Sequence, residues 1–295
     1  MKSKLRNSKR QEMIAAYILL APDVLGLLLI YVVPMAVTIY LSFHAWNGFS
    51  SPSFVGIGNY LSLFNDPLWL QSMGITMNYV LLFVPLLTVG SLLLALLIKT
   101  NLPEIKLFRT IYFLPIVMPI IVAAIVWEFI YEPSYGIINY FLKLLGHAPH
   151  AWLGSQKEAL LAVVNVSVWK QLGYYMIIFL AGLNDIAKEY KEASAIDGAS
   201  PLQRFWYITL PLLRPTMVFV IVVNLITALQ DFDQVYVLTR GGPNYATYVQ
   251  VFYIYEKAIK FFQMGLASAA SVILFSIILL LSLIQLKVFR GGRYD

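Results

Sequence analysis

The sequence predicts an all-α polytopic membrane protein with six transmembrane helices and a cytoplasmic helix-turn-helix between spans four and five. Three observations lead there. Hydrophobic residues make up 60% of the 295-residue chain, against about 45–50% in soluble domains. Charged residues are 12%, about half the usual share, and they cluster between long apolar runs instead of lining helix faces. Third, lysines and arginines are dense in alternate connecting segments and sparse in those between, as a multi-pass chain obeying the positive-inside rule requires. Such a chain is no soluble enzyme built round one large core. The absence of cysteine excludes disulfides, thiolate metal sites and thiol catalysis.

Residues 1–12 form a basic tail with Lys2, Lys4, Arg6, Lys9 and Arg10, and residues 13–295 a single transmembrane domain. The first apolar run, 13–43, is about twice the apolar length of a signal peptide, lacks a small-residue cleavage pattern and holds Pro22 and Asp23, so it reads as an uncleaved span. Pro22 and Pro34 bend it or mark its ends. Segment 44–74 has no lysine or arginine and carries Trp46, Tyr60 and Trp69, suited to an aromatic belt outside. Span two covers 75–98, and span three covers 110–131 with Pro115 and Pro119 inside it. Segment 132–157, helical near 137–145, is a second outside loop. Span four, 158–183, carries Asn165, Trp169, Lys170 and Gln171 at its middle, groups too costly in lipid to face it. Span five is placed at 216–237. Only 217–229 is cleanly apolar, short of the roughly 20 residues a bilayer needs, so Gln230, Asp231 and Asp233 are carried into or near it. Arg240-Gly-Gly-Pro243 ends it, 244–263 lies outside, and span six runs 265–288. There Gly265-x-x-x-Ala269 and Ala267-x-x-x-Ser271 have the spacing that lets helix backbones approach closely.

Sorting the 21 basic residues by side tests this order. Fifteen fall inside: the five of the tail, then Lys99, Lys106, Arg109, Lys188, Lys191, Arg204, Arg214, Lys287, Arg290 and Arg293. Five fall outside, Lys143, Lys157, Arg240, Lys257 and Lys260, and Lys170 alone lies within a span. Both termini are thus expected in the cytoplasm. The net charge of +6 marks orientation toward anionic lipid, not nucleic acid.

Residues 184–215 are the longest polar-bearing break on the cytoplasmic side. Asn184 and Asp185 offer cap oxygens to a short helix whose apolar positions are Ile186, Tyr190, Ala193 and Ile196. Gly198 ends it in the left-handed conformation. Ser200, Pro201 and Gln203 write a capping box for a second helix, striped by Leu202, Phe205, Trp206 and Thr209 and closed by Pro211 and Pro215. A charged, capped hairpin of this kind is suited to touching another protein, although an ordinary interfacial loop could share its caps.

The stretch Glu192-Ala-Ser-Ala-Ile-Asp-Gly198, with Ile208, Leu210 and Pro211, resembles the EAA loop in permease subunits of bacterial ATP-binding-cassette (ABC) importers, Ser194 standing where a second alanine is usual. Gly56 to Tyr60, Phe108-Arg-Thr-Ile-Tyr-Phe-Leu-Pro115, Trp127, Tyr135-Gly-Ile-Ile-Asn139 and Phe232 through Pro243 resemble blocks of the carbohydrate branch. The resemblance implies a coupling loop in which Glu192, Ala193, Ser194, Asp197, Gly198, Arg204 and Pro211 engage a separate ATPase. It also implies a second permease, two ATPase subunits carrying ATP and Mg, an extracytoplasmic sugar-binding protein, and no cofactor on this chain.

No metalloprotease helix, phosphate loop or Ser/His/Asp set is present. His147 and His150 read as solvated loop residues, since zinc needs three or four ligands. For transport, Asn224, Thr227, Asp231 and Gln234 fall at i, i+3, i+7 and i+10, one helical face able to satisfy the hydroxyls of a sugar or polyol. The same groups could serve only to bridge helices. Lys170 is placed with this set as a path residue and could pair with Asp231 or Glu128 within the bundle, since sequence does not determine helix partners. The rival reading is an ion- or proton-coupled secondary transporter using Lys170, Asp231 and Asp233, which needs no docking hairpin and usually carries internal repeats, not evident here.

Overall fold

A computed structural model describes residues 2–99 and 105–290, with side chains for 12–99, 107–190 and 192–287. The side chains of Lys2, Lys4, Arg6, Lys9, Arg10, Lys106, Lys191 and Arg290, and the whole of Arg293, lie outside the described residues, so their part in the charge sorting rests on sequence.

In chain order, α1 (Lys2–Leu27) continues through a π turn (Leu28–Val32) into α2 (Val33–Ser42). Helix continues past both Pro22 and Pro34. The described part of the basic tail therefore belongs to α1 instead of preceding it. A two-residue hairpin, β1 (His44–Ala45) with β2 (Ser53–Phe54), pairs antiparallel, followed by α3 (Gly58–Phe64) and α4 (Pro67–Ile98). Then come α5 (Ile105–Val117), α6 (Ile120–Tyr131), α7 (Ile137–Leu144) and α8 (Ala159–Asp185). Next are α9 (Lys188–Ile196), α10 (Pro201–Arg204), a π turn (Phe205–Thr209) and α11 (Leu210–Leu212). Last are α12 (Arg214–Leu229), α13 (Asp233–Leu238), α14 (Gln250–Tyr255) and α15 (Met264–Arg290).

Among the described residues, four stretches are long and apolar enough to cross a membrane: Glu12–Ser42, Pro67–Ile98, Ala159–Asp185 and Met264–Lys287. Two further pairs qualify only if a bent pair counts as one span. They are Leu107–Val117 with Ile120–Tyr131, bent by 104°, and Pro201–Leu212 with Arg214–Leu229, bent by 67°. Span three, expected as one helix over 110–131, is therefore broken at Met118–Pro119, and span five, expected over 216–237, stops at Leu229 and resumes at Asp233.

The chain gathers into two compact units. The first holds the chain to Asn65 together with Glu256–Ile273. Asn59 Nδ2 donates to the carbonyls of Ser42 and His44, both at 2.9 Å, and fixes the turn out of α2. A Cβ on Gly265 would stand 1.9 Å from the His44 carbonyl oxygen, so the small residue is required for this approach. Nearly all side chains along Glu12–Ser42 are exposed, as lipid or a neighbouring subunit would demand.

In the second unit, Asp66–Tyr255 with the chain from Leu274 onward, α8 packs along α4 and α12 packs against both. Tyr79, Phe83, Leu87, Met176 and Phe179 fill the seam. Asp66 caps α4 through the Leu68 N–H at 2.9 Å and also accepts from Tyr253 at 2.7 Å. Burial, then the Asp66 carboxylate, pushes the Tyr253 phenol up, so the tyrosine stays the donor. On the far side α8 meets α5 at Gly173, where a Cβ would lie 1.9 Å from the Tyr112 carbonyl oxygen. Gly173→Ala should overpack this crossing and lower stability by about 1–3 kcal/mol. Gly74→Ala, on α4 with open space around it, should be neutral or better. The fraction of protein that stays monodisperse after a heat challenge in detergent checks both.

Candidate functional site: a capped hairpin and a polar cleft

Between α8 and α12 the chain builds the helix-turn-helix with local chemistry. Gly198 has φ +76, and its N–H donates to Ala195 O at 3.2 Å while Ala199 N–H donates to Ser194 O at 3.0 Å. This double bond pattern is a Schellman termination, which satisfies the last carbonyls of α9. Ser200 then forms the capping box: Gln203 N–H donates to Ser200 Oγ at 3.3 Å and Ser200 N–H to Gln203 Oε1 at 2.8 Å. Asn184 and Asp185, expected as caps of α9, are instead the last turn of α8, and the cap position of α9 falls to Ala187, without a side-chain bond. Pro211 does not close the second helix. The chain widens into the π turn just before it, a geometry that tolerates the missing proline N–H, and breaks only at Leu213.

The hairpin turns apolar side chains outward. Ile196 is 86% exposed, Tyr207 79% and Leu202 68%. Glu192, Ala193, Asp197, Gly198 and Pro211 are exposed too, Arg204 is half-buried, and Ser194 is buried.

The second feature is a cleft of about 310 Å³ where span five breaks, lined by Gln171 of α8 and by Thr227, Gln230, Asp231, Phe232, Asp233 and Gln234. Asp231 sits at the break. Its carboxylate accepts the Tyr79 hydroxyl from α4 and Ser167 Oγ from α8 at 3.4 Å. Three separate segments thus meet on one buried side chain.

Of the residues expected on one face, Thr227, Asp231 and Gln234 share this cleft. They are not one continuous helical face, because α12 ends before Asp231 and Gln234 belongs to α13. Asn224 is fully buried and donates to Thr88 Oγ1 at 3.2 Å, so it bridges helices. Lys170 does not line the cleft and pairs with neither Asp231 nor Glu128. Its Nζ donates to the carbonyls of Met118 at 2.6 Å and Pro115 at 3.3 Å, which the break between α5 and α6 frees. Gln171, Gln230 and Asp233 enter the lining through the fold, and their polarity within spans was the only sequence signal for them. Among the described residues no group of three or more His, Cys, Asp or Glu could hold a metal.

An all-helical bundle of membrane-crossing length, with a polar cleft at a helix break, defines the chain as an integral membrane transport protein. Comparison narrows this. Residues 105–291 match the family described as binding-protein-dependent transport system inner membrane component. The chain is 34% identical over 290 residues to the probable ABC transporter permease protein YurN of Bacillus subtilis (strain 168), covering 97% of this chain and 99% of the relative. It is 34% identical over 286 residues, 97% of each chain, to the trehalose/maltose transport system permease protein MalF of Thermococcus litoralis. Its fold is similar to that of a chain in a bacterial alginate ABC transporter in complex with alginate pentasaccharide-bound periplasmic protein, with a TM-score of 0.84 at 23% identity over 98% of each chain. The protein belongs to the binding-protein-dependent transport system inner membrane component family and is an ABC importer permease.

Asp231→Leu should strand the Tyr79 hydroxyl and destabilise the fold by roughly 1–3 kcal/mol. Asp231→Asn, which keeps an acceptor, should lose much less. Heat-challenge survival of the two variants gives the comparison.

Proposed function

We propose that this chain forms half of the translocation path of an ATP-driven importer for a sugar or related polyol and takes its driving force through the hairpin 184–215. On this reading it crosses the membrane six times with both termini in the cytoplasm. It pairs with a second permease and docks on two ATPase subunits that carry ATP and Mg. An extracytoplasmic binding protein delivers the solute. The chain itself hydrolyses nothing and binds no cofactor.

The observation that carries the coupling role is the hairpin's construction. Its backbone is locked by the Schellman turn and the capping box, while Ile196, Leu202 and Tyr207 stand in solvent beside the charged Glu192 and Asp197. A rigid element with exposed apolar side chains is suited to burial against a partner. Glu192, at the start of the resembling motif, is the residue that would meet a basic group there. The carbohydrate assignment draws on the trehalose/maltose and alginate transporters among the similar proteins and on the uncharged amide and hydroxyl groups that outnumber carboxylates in the cleft. Transport then follows as alternating access: closure of the ATPase pair moves the hairpin, and the helices attached to it rotate as a body.

Vesicles holding the assembled transporter provide the test. Glu192→Ala and Gly198→Val should each lower ATP-driven uptake at least about ten-fold with the subunits still copurifying, whereas His147→Ala should leave it unchanged. Accumulation of solute by this chain alone, driven by a cation gradient, would overturn the reading in favour of a secondary transporter.

A further inference from the structure

A second cavity, of about 420 Å³, lies apart from the cleft, where the 132–157 segment folds over the start of α8. Its wall is aromatic: Tyr131 and Trp152 have ring centroids 5.4 Å apart, and the His150 ring is 5.2 Å from Trp152. Its polar groups are those of Glu158, His150 and Asn165, and no lysine or arginine is among the described residues that line it.

The segment that forms it is held in place. Asn139, 1% exposed, donates to the carbonyls of His150 at 2.8 Å and Pro133 at 3.2 Å, and its Oδ1 accepts the His150 N–H at 3.0 Å and the Trp152 indole N–H at 2.9 Å. His150 Nδ1 lies 2.6 Å from Glu158 Oε1, and Glu158 Oε2 accepts the Trp152 N–H at 3.1 Å. His150 is thus a partner in this network and not merely a solvated loop residue. Trp152 has φ +43, a left-handed backbone that a non-glycine residue adopts only when its surroundings enforce it. These bonds hold the Trp152 backbone and indole N–H in place, and Trp152 is one of the residues that line the cavity.

We propose that this cavity binds a neutral sugar ring, stacked on Trp152 with its hydroxyls bonded to Glu158 and Asn165. An aromatic face attracts the weakly positive C–H side of a sugar ring. A carboxylate and an amide accept and donate to hydroxyls, and the volume is within the roughly 300–1,000 Å³ of small-molecule sites. The single carboxylate, without a lining lysine or arginine, disfavours phosphorylated and acidic solutes. An acyl chain would leave the polar groups without purpose. This inference rests on the carbohydrate reading above and narrows it to uncharged sugars, held at a site separate from the mid-span cleft.

The test uses the assembled transporter in lipid nanodiscs, without its binding protein, and follows glucose, maltose, trehalose and sn-glycerol 3-phosphate by saturation-transfer NMR and calorimetry. At least one neutral sugar should bind. Trp152→Ala and Glu158→Gln should weaken that binding at least about ten-fold. Trp152→Phe should restore most of it, and His147→Ala should not alter it. Glycerol 3-phosphate should not compete. The proposal fails if no neutral sugar binds, if glycerol 3-phosphate displaces it, if binding survives both Trp152→Ala and Glu158→Gln, or if the cavity yields a copurifying lipid that Trp152→Ala releases. Uptake by the wild-type assembly with its binding protein separates the two levels. Neutral-sugar uptake together with unaltered binding by the variants removes only this site, whereas no uptake of any sugar removes the carbohydrate reading as well.

Discussion

Inside a bilayer a backbone group that loses its helical partner finds no water, and each such loss is worth several kcal/mol. The second unit of this chain is organised around meeting that demand at its helix breaks. Between α5 and α6, where Pro115 and Pro119 interrupt the ladder, Lys170 reaches across from α8 to the carbonyls of Pro115 and Met118. Between α12 and α13, Asp231 ties the break to α4 and α8 through Tyr79 and Ser167. At the end of α8, Lys99 from α4 donates to the Leu183 carbonyl. Both lysines meet carbonyls that a neighbouring helix leaves open, and two hydroxyls from neighbouring helices hold Asp231 at the turn.

The same repair produces the cleft. Had span five continued as one helix, Gln230 and Asp233 would have been directed outward at helical intervals, and no opening would separate α12 from α13. Because the chain turns at 230–232, Gln230 and Asp233 are exposed while Asp231 and Gln234 stay buried on its inner wall. Irregular backbone at membrane depth is tolerated where it is buried in protein or lines a cavity. Here Asp231 does both, anchoring the break and forming part of the lining. Asn224 bridges helices, Thr227 and Gln234 border the cleft, and Asp231 does both.

What the sequence discloses follows from how local each signal is. The turn at Gly198 and the box from Ser200 to Gln203 depend on residues within a few positions of one another, and the structure forms both. The breaks in spans three and five depend on partners 52 to 152 residues away. Pro115 announces a lost donor but not that Lys170 would answer it, and a period-3.6 reading carried straight through 224–234 could not register that Tyr79 and Ser167, from two other helices, would hold Asp231. Asn184 and Asp185 have good capping chemistry in principle, yet they form the last turn of α8, whose end Lys99 meets at the Leu183 carbonyl. His150 looked unremarkable in sequence because its role is set by Asn139 and Glu158, neither of which signals it.

Helix α8 connects these features mechanically. Its 27 residues span about 40 Å, and no proline interrupts Ala159–Asp185. Glu158 of the aromatic cavity immediately precedes its first turn, Ser167 and Gln171 meet the cleft near its middle, and the hairpin leaves its last turn through Ile186 and Ala187. Gly173 presses it against the α5 backbone, while Gly182 brings it close to Thr216 on α12. Packed so closely, α8 has little room to bend and more freedom to tilt together with its neighbours. On the coupling role proposed above, a displacement of the hairpin would therefore reach the cleft and the far cavity as one rigid motion, since packed helices shift between discrete arrangements more readily than they deform along their length.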